Sequence, residues 1–278
     1  MRVGVGLPTT TPGAGRDLLL AWCRRADEGP FASLGFLDRV VYDSFEPFAA
    51  LGAAAATTDR VELVTMIVIA PLRSGALLAK QAATIDAISG GRLTLGVSIG
   101  ARRDDYEATG TEYTSRGVRF DDQLAQIRAA WEEDRIGPAV ANADGPRLLV
   151  GGLSGQAFAR MARHADGYVH GGGPPRAFES AAANARAAWA DLGRPGAPQL
   201  YGQGYFALGD EELAADYLRD YYAFTGPFAE KVAAANLTTP QAITDFVRGY
   251  EEAGCDELVL LPTVSDVAQI DRLADVLG

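Results

Sequence analysis

The sequence predicts an α/β fold of the (β/α)8 barrel type, and two observations carry that expectation. Eight short β-rich runs alternate with longer runs rich in Ala, Leu and Arg across the 278 residues, the pattern of repeated βαβ units building a parallel sheet. The first strand-to-helix turn, "LPTTTPGAG", lacks the G-x-G-x-x-G spacing that opens a doubly wound, dinucleotide-binding sheet.

The first strand is expected over 2–7 ("RVGVGL"), with a helix over 17–28. A second strand over 34–38 leads to a helix over 47–57, which Pro47 suits as a first helical residue. The third strand, 61–69, is rich in β-branched residues, and its helix, 75–88, stops at "SGG". The fourth strand, 93–98, precedes a helix over 120–133. The stretch "GPAVANADGP" (137–146) holds two Pro and two Gly and reads as a loop. Strands over 147–150, 167–170 and 200–207 alternate with helices over 156–164, 175–192 and 211–222. An eighth strand, 257–261, and a helix over 266–277 complete the pattern. The interval 208–256 far exceeds the usual connection of about two to six residues. It is expected to hold two or three helices, one over 239–253 opened by "TTP". The chain is thus read as one barrel domain, 1–278, with a helical insertion at 208–256. That insertion either lies over the barrel or doubles its outer wall.

Bulk properties narrow the function. Asp and Glu number 36 against 25 Lys and Arg, a net charge of −11, which disfavours nucleic acid and anionic membranes as partners. The two cysteines, Cys23 and Cys255, form no C-x-x-C pair, so neither a metal framework nor a disulfide scaffold is signalled. "MRVGVGLP" enters a strand pattern at once, unlike a signal peptide, and no run approaches the ~18 apolar residues of a membrane span. A cytoplasmic location is the expectation.

A barrel of this kind carries its active site at the C-terminal ends of the strands. Those positions here are rich in glycine and poor in acid–base groups. The fourth strand, in "SGGRLTLGVSIG", sheds bulk at Gly96 and Gly100 before Arg102 and Arg103; either a tight turn or the approach of a flat or anionic ligand explains this. After the fifth strand, Gly152, Leu153 and Ser154 lead into a helix that Ser154 can cap. That turn is either plain or an anion site on free backbone N–H groups. "HGGG" (170–173) places His170 at a strand end, as a proton-exchanging group or a solvent-facing cap. Asp38 is either a catalytic carboxylate or a strand-end cap, and Tyr106 either lines the mouth or packs beneath it. "GLSGQ" imitates a nucleophile elbow, but the chain has only two histidines, His164 and His170, as partners. No metal-ligand spacing is present. Such a site suits a cofactor that brings its own chemistry to a small-molecule substrate.

The segments "LAKQAATIDAISGGRLTLGVSIG" (78–100), "RRDDYEATG" (102–110), "LLVGGLSGQAFARMARHADGYV" (148–169) and "AGCDELVLLPTVSDVAQIDRLADVL" (253–277) resemble the luciferase-like oxidoreductases that depend on FMN or on the deazaflavin F420. The resemblance implies a (β/α)8 barrel with an insertion in its C-terminal third, a flavin at the strand C-termini, and either monooxygenation with reduced FMN and O2 or hydride transfer with F420. It implies a cis peptide in the third strand near Met66 and Ile67, under the flavin ring. It also implies an anion pocket around Gly100, Arg103, Gly152, Leu153 and Ser154, with Arg102 the alternative to Arg103. Where some members carry a phosphate-gripping arginine, this chain has Ile99, and the second-strand histidine of luciferases is absent from "DRVVYDSFEP", so light emission is not expected. The fifth-strand turn lacks the "GP" of F420 reductases, which favours FMN. His170 and Asp38 are then the catalytic candidates. A separate flavin reductase and a homodimer are the partners such a resemblance brings with it. A barrel that binds flavin without catalysis is the alternative from another class.

Overall fold

The computed structural model describes residues 1–133, 136–142 and 145–278. Residues 143–144 of the expected loop 137–146 lie outside them. The elements run β1 (Arg2–Gly6), α1 (Arg16–Glu28), β2 (Ser33–Phe36), α2 (Pro47–Thr57), β3 (Glu62–Thr65), β4 (Val68–Ile69), α3 (Gly75–Ser89), β5 (Leu93–Ser98), α4 (Arg103–Ala108), α5 (Arg116–Glu132) and β6 (Arg147–Gly151). They continue α6 (Gly155–His164), β7 (Gly167–Val169), α7 (Pro175–Asp191), β8 (Gln199–Phe206), α8 (Glu211–Tyr221), α9 (Phe228–Ala234), α10 (Pro240–Glu252), β9 (Glu257–Pro262) and α11 (Ala268–Leu277). Two 3-10 turns, Ala70–Leu72 and Ala223–Thr225, follow β4 and α8. All pairings between these strands are parallel, and the β3–β5 pairing closes the sheet. The barrel therefore has eight staves, with the third divided into β3 and β4 around a cis Met66–Ile67 peptide. This bond falls where the resemblance implies it.

Strand alternation sorts side chains into two cores. In β6, Leu148 and Val150 join the large cluster beneath the helices, while Leu149 joins a smaller one. In β9, Leu258 and Leu260 go outward, and Val259 and Leu261 meet Val64, Met66 and Val169 in the smaller cluster within the barrel. The N-terminal end is closed by a polar floor. Arg2 donates to Glu62 at 2.7 Å and to Tyr201 Oη at 3.1 Å, Arg147 donates to the same Tyr201 hydroxyl at 3.2 Å, and buried Glu257 pairs with Arg2.

The loss of bulk along β5 has two distinct causes. A Cβ on Gly96 would lie 2.2 Å from the Thr65 carbonyl oxygen, so here the small residue serves strand packing. Gly100 has φ 66°, and a Cβ there would sit 2.7 Å from Ile69; this glycine makes the turn at the cavity. Thr65 closes the contact from the other side, its hydroxyl donating to the Gly96 carbonyl and accepting from the Gly96 N–H, both at 2.7 Å. Gly96→Ala is expected to lower unfolding free energy by about 2–3 kcal/mol, the cost of overpacking a rigid core. Urea denaturation checks this, and a midpoint like that of the parent would mean the strands separate freely.

The interval 208–256 holds α8, α9 and α10. Glu212 and Glu211 in the first turn of α8 suit the positive helix end, and Thr239 caps α10, its hydroxyl accepting from Ala242 N at 3.1 Å. After α9 the chain returns to β8: Leu237 N donates to Tyr205 O at 2.9 Å, and Ala207 N donates to Leu237 O at 3.0 Å. These bonds tie the insertion to the C-terminal end of a barrel strand. Among the described residues, helix α4, in a stretch read from sequence only as a motif, is the one helix the sequence pattern did not predict.

Candidate active site

A cavity of about 670 Å³ opens at the C-terminal ends of the strands, the size of a cofactor site. Leu37, Met66, Ile67 and Val169 give it an apolar floor, and Gly100, Gly151 and Gly152 expose backbone along one side. Tyr221, Tyr222 and Phe224, from the insertion, add an aromatic wall. Gly152 has φ 133°, and a Cβ there would come within 2.8 Å of Ala157; only glycine makes this turn into α6 without strain.

Four buried polar atoms of residues lining the cavity have no hydrogen-bond partner among the described residues: Arg116 Nε, Tyr168 Oη, His170 Nδ1 and Gln203 Oε1. Buried polar atoms are rarely left unpaired, because each costs about 1–3 kcal/mol. All four belong to residues around one cavity, while the Tyr168 ring itself packs in the outer cluster against Phe158 of α6. Gln203 is held in place by its amide, which donates to Gly171 O at 3.1 Å.

His170 is 2% exposed. Of the two settings expected for it, the solvent-facing cap is corrected: His170 follows β7 directly, and its ring stands edge-on to Phe178 at 5.8 Å between centroids. Burial holds its pKa below the ordinary value, so the ring is neutral at pH 7. The unfolded chain, titrating near ~6.5, takes up a proton first. The contribution of this group to stability is therefore full above that pH and is lost as the pH falls toward the folded value. Burial shifts His164 in the same direction. His170→Gln is expected to flatten part of the acid limb of stability below pH ~6.5, measured as urea midpoints across pH. An unchanged limb would assign it to other groups.

Asp38 lies at the cavity but its carboxylate is fully engaged. Arg73 donates to both oxygens, at 2.6 and 3.0 Å, and Ile69 N donates to Oδ2 at 2.8 Å. It ties the end of β2 to β4, so of the two roles expected for it the geometry fits the strand-end anchor. Its neighbour Arg39 reaches the other way, donating to buried Asp105 at 2.9 Å and to Asp104 at 3.1 Å. Asp105 also accepts from Val40 N and Val41 N, at 2.9 and 2.7 Å. The loop after β2 is thereby latched to α4. Tyr106 packs: it is buried and its hydroxyl donates to Ile99 O.

Arg103 needs correction. It is exposed and lies over the Tyr113 ring at 4.3 Å, whereas Arg102 lines the cavity. The reason is local: Arg102 is the extended cap residue and Arg103 the first helical residue of α4, so their side chains diverge. Arg102 in turn donates to Tyr221 O at 2.6 Å and lies over Phe224 at 4.0 Å and Tyr221 at 4.4 Å, holding the aromatic wall. The cations near the α6 turn are Arg116 and Arg160. Arg116 donates to Tyr113 O at 2.8 Å, and its Nε is buried without a partner among the described residues. Arg160 is braced by Asp121, at 2.7 and 3.0 Å. Ser154 caps α6, Oγ accepting from Ala157 N at 3.2 Å. Leu153 also lines the cavity and is 74% exposed.

Arg116, Arg160, Tyr168, Gln203 and Tyr205 were not legible as site residues. Gln203, a polar residue between two glycines inside a buried strand ("YGQGYF"), carried the one available signal.

Residues 1–254 match the family model described as luciferase-like monooxygenase. The chain belongs to the luciferase-like monooxygenase family. Among curated proteins, an uncharacterised protein of Mycobacterium tuberculosis is 34% identical over 142 residues, 47% of this chain and 49% of that protein. A phthiodiolone/phenolphthiodiolone dimycocerosates ketoreductase of Mycobacterium bovis is 35% identical over 92 residues, 33% of this chain and 24% of that protein. The chain thus matches half or less of the length of these relatives. Among solved structures, an F420-dependent secondary alcohol dehydrogenase in complex with an F420-acetone adduct superposes with a TM-score of 0.81 at 17% identity, covering 99% of this chain and 97% of that one. The FMN-bound oxygenating constituent of 3,6-diketocamphane monooxygenase from Pseudomonas putida gives 0.76 at 14%, covering 100% and 96%. At these identities the likeness concerns the barrel fold. Among the described residues, no helix of this family member is long and apolar enough to cross a membrane.

Proposed function

We propose that this chain is a flavin-dependent oxidoreductase, a monooxygenase using reduced FMN and O2 on a small organic substrate, with the reduced FMN supplied by a separate reductase. The observation that carries the reading is the cavity at the strand C-termini, with its apolar floor and glycine-lined strand ends, around which Arg116, Tyr168, His170 and Gln203 bear unpartnered polar atoms. A planar heterocycle with carbonyl and N–H edges suits both features. Met66 and Leu37 would lie under the ring, and Tyr221 and Tyr222 would keep water from it. Arg116, Arg160, Ser154 and the backbone of Gly152 and Leu153 would hold a phosphate, with Gly100 leaving room beside it. The bound cofactor supplies the two-electron redox chemistry. His170, neutral in its buried setting, holds a proton on one ring nitrogen and accepts one on the other. Asp38 acts as a positioning residue through Arg73 and the Ile69 N–H.

Hydride transfer with F420 is the second reading, favoured by the superposition on an F420-dependent dehydrogenase. Absorbance titrations of the purified protein with FMN and with F420 separate the two. Tight FMN binding and reductase-coupled substrate oxidation support the first reading; preference for F420 moves the chemistry to hydride transfer. Binding without turnover would leave a flavin-binding barrel, and binding of neither would overturn the reading. Within this scheme Arg103→Ala is expected to leave FMN affinity within about twofold. Arg116→Ala should weaken it about tenfold, as for one charge-assisted hydrogen bond. Calorimetry of both variants decides, and the reverse ranking would restore Arg103 to the anion pocket.

A further inference from the structure

A second cavity, of about 640 Å³, adjoins the first. Gly171, Gly172, Tyr205, Tyr222 and Phe228 line both, so the two spaces are neighbours across a shared wall. The wall is the hydrogen-bonded pair Tyr205 Oη and Tyr222 Oη, 2.8 Å apart. The floor is backbone: Gly172 and Gly173 have φ 97° and 120°, and the Gly173 carbonyl accepts from Tyr250 Oη at 2.8 Å. Phe228, Val232, Ala235 and Phe246 make the remainder apolar.

The charge of this second cavity runs against that of the chain. The protein carries a net charge of −11, yet no Asp or Glu is among the residues lining the cavity, which include Arg176 and Lys231. Lys231 is one of only two lysines in the sequence, with Lys80. Neither cation has an ion pair among the described residues. The acidic neighbour of Lys231 on α9, Glu230, is instead bound by Arg219 at 3.1 Å. Two exposed cations without ion pairs among the described residues, from α7 and α9, therefore line one apolar space beside the proposed redox site.

We propose that this second cavity receives the anionic end of the substrate, and that the substrate class is an organic carboxylate with an apolar body. The apolar body crosses beside Tyr205 and Tyr222, and the carboxylate meets Arg176 and Lys231. This specificity rests on the oxidoreductase reading for the chemistry but on the second cavity alone for binding.

Calorimetric titration with octanoate and with octan-1-ol tests it. The two probes share a chain and differ in the terminal charge. The parent protein is expected to bind octanoate roughly fivefold more tightly than the alcohol, the modest preference proper to exposed cations. The double variant R176A/K231A should bind both alike, because it loses the charges and keeps the apolar walls. Val232→Trp, which fills the space, should abolish binding of both. Both sites of the double variant are exposed, so folding is not at stake. Absence of octanoate binding by the parent, equal affinity for the two probes, or a preference that survives in R176A/K231A would each overturn the proposal. FMN and F420 titrations on the same preparations keep the two readings apart. Loss of flavin binding by the parent defeats the oxidoreductase reading, whereas an octanoate preference removed by R176A/K231A stands whatever the flavin result.

Discussion

Ser154→Asp is expected to weaken FMN binding more than about 100-fold while leaving the fold intact. Ser154 caps α6 through its side-chain oxygen, and aspartate is an equally good N-cap, so the helix keeps its start. What changes is charge. A carboxylate is placed at a turn that lines the cavity with Arg116 and Arg160, where a phosphate is proposed to sit. Two like charges about 4 Å apart at an effective dielectric near 20 repel by about 4 kcal/mol, more than the factor of 100 requires. Ser154→Asn keeps the cap without the charge and should cost less than about tenfold. Calorimetry on the three proteins checks the ranking. Equal affinities for the aspartate variant and the parent would place the phosphate elsewhere.

His170→Gln is expected to lower turnover about 100-fold, the lower range for a general acid–base group, with FMN affinity nearly unchanged. Glutamine keeps a hydrogen-bonding side chain of similar reach but exchanges no proton near neutrality. Among the described residues His170 is the one imidazole lining the cavity, and its Nδ1 is one of the four unpartnered atoms of the lining residues. Because burial lowers its pKa, the parent should stay active to a pH below ~6.5 before protonation of the imidazole intervenes. That acid limb should vanish in the variant. Reductase-coupled turnover measured across pH tests both statements, and parent-like turnover in the variant would return His170 to a purely structural role.

The anchoring carboxylates show how an expectation can name the right residue with its function still undecided. Asp38 sits at the end of a predicted strand and was legible as a polar group at the barrel mouth. Its partner, Arg73, comes from another βα unit, as does Asp105, the partner of Arg39. Nothing local distinguishes an aspartate that will face substrate from one that will clasp an arginine 35 residues away.

The sequence by itself determined the barrel. The period-2 pattern of the strands, the Pro and Ser starts of helices and the glycine stops are local signals, and they act through backbone conformations that a few neighbouring residues dictate. The same local signals marked the Gly152–Ser154 turn. The tertiary structure alone decided which cations face the cavity. Arg102 and Arg103 are adjacent in sequence, yet the start of α4 between them sends one inward and the other to Tyr113. Arg116 and Arg160 look like ordinary helix-surface residues until α5 and α6 pack side by side and turn both toward one space. Burial, too, was a tertiary result: Tyr168 is enclosed by packing against Phe158 of α6, a contact made only when the helix lies on the sheet. A side chain's direction is fixed by packing between elements, and no short window of residues contains that information.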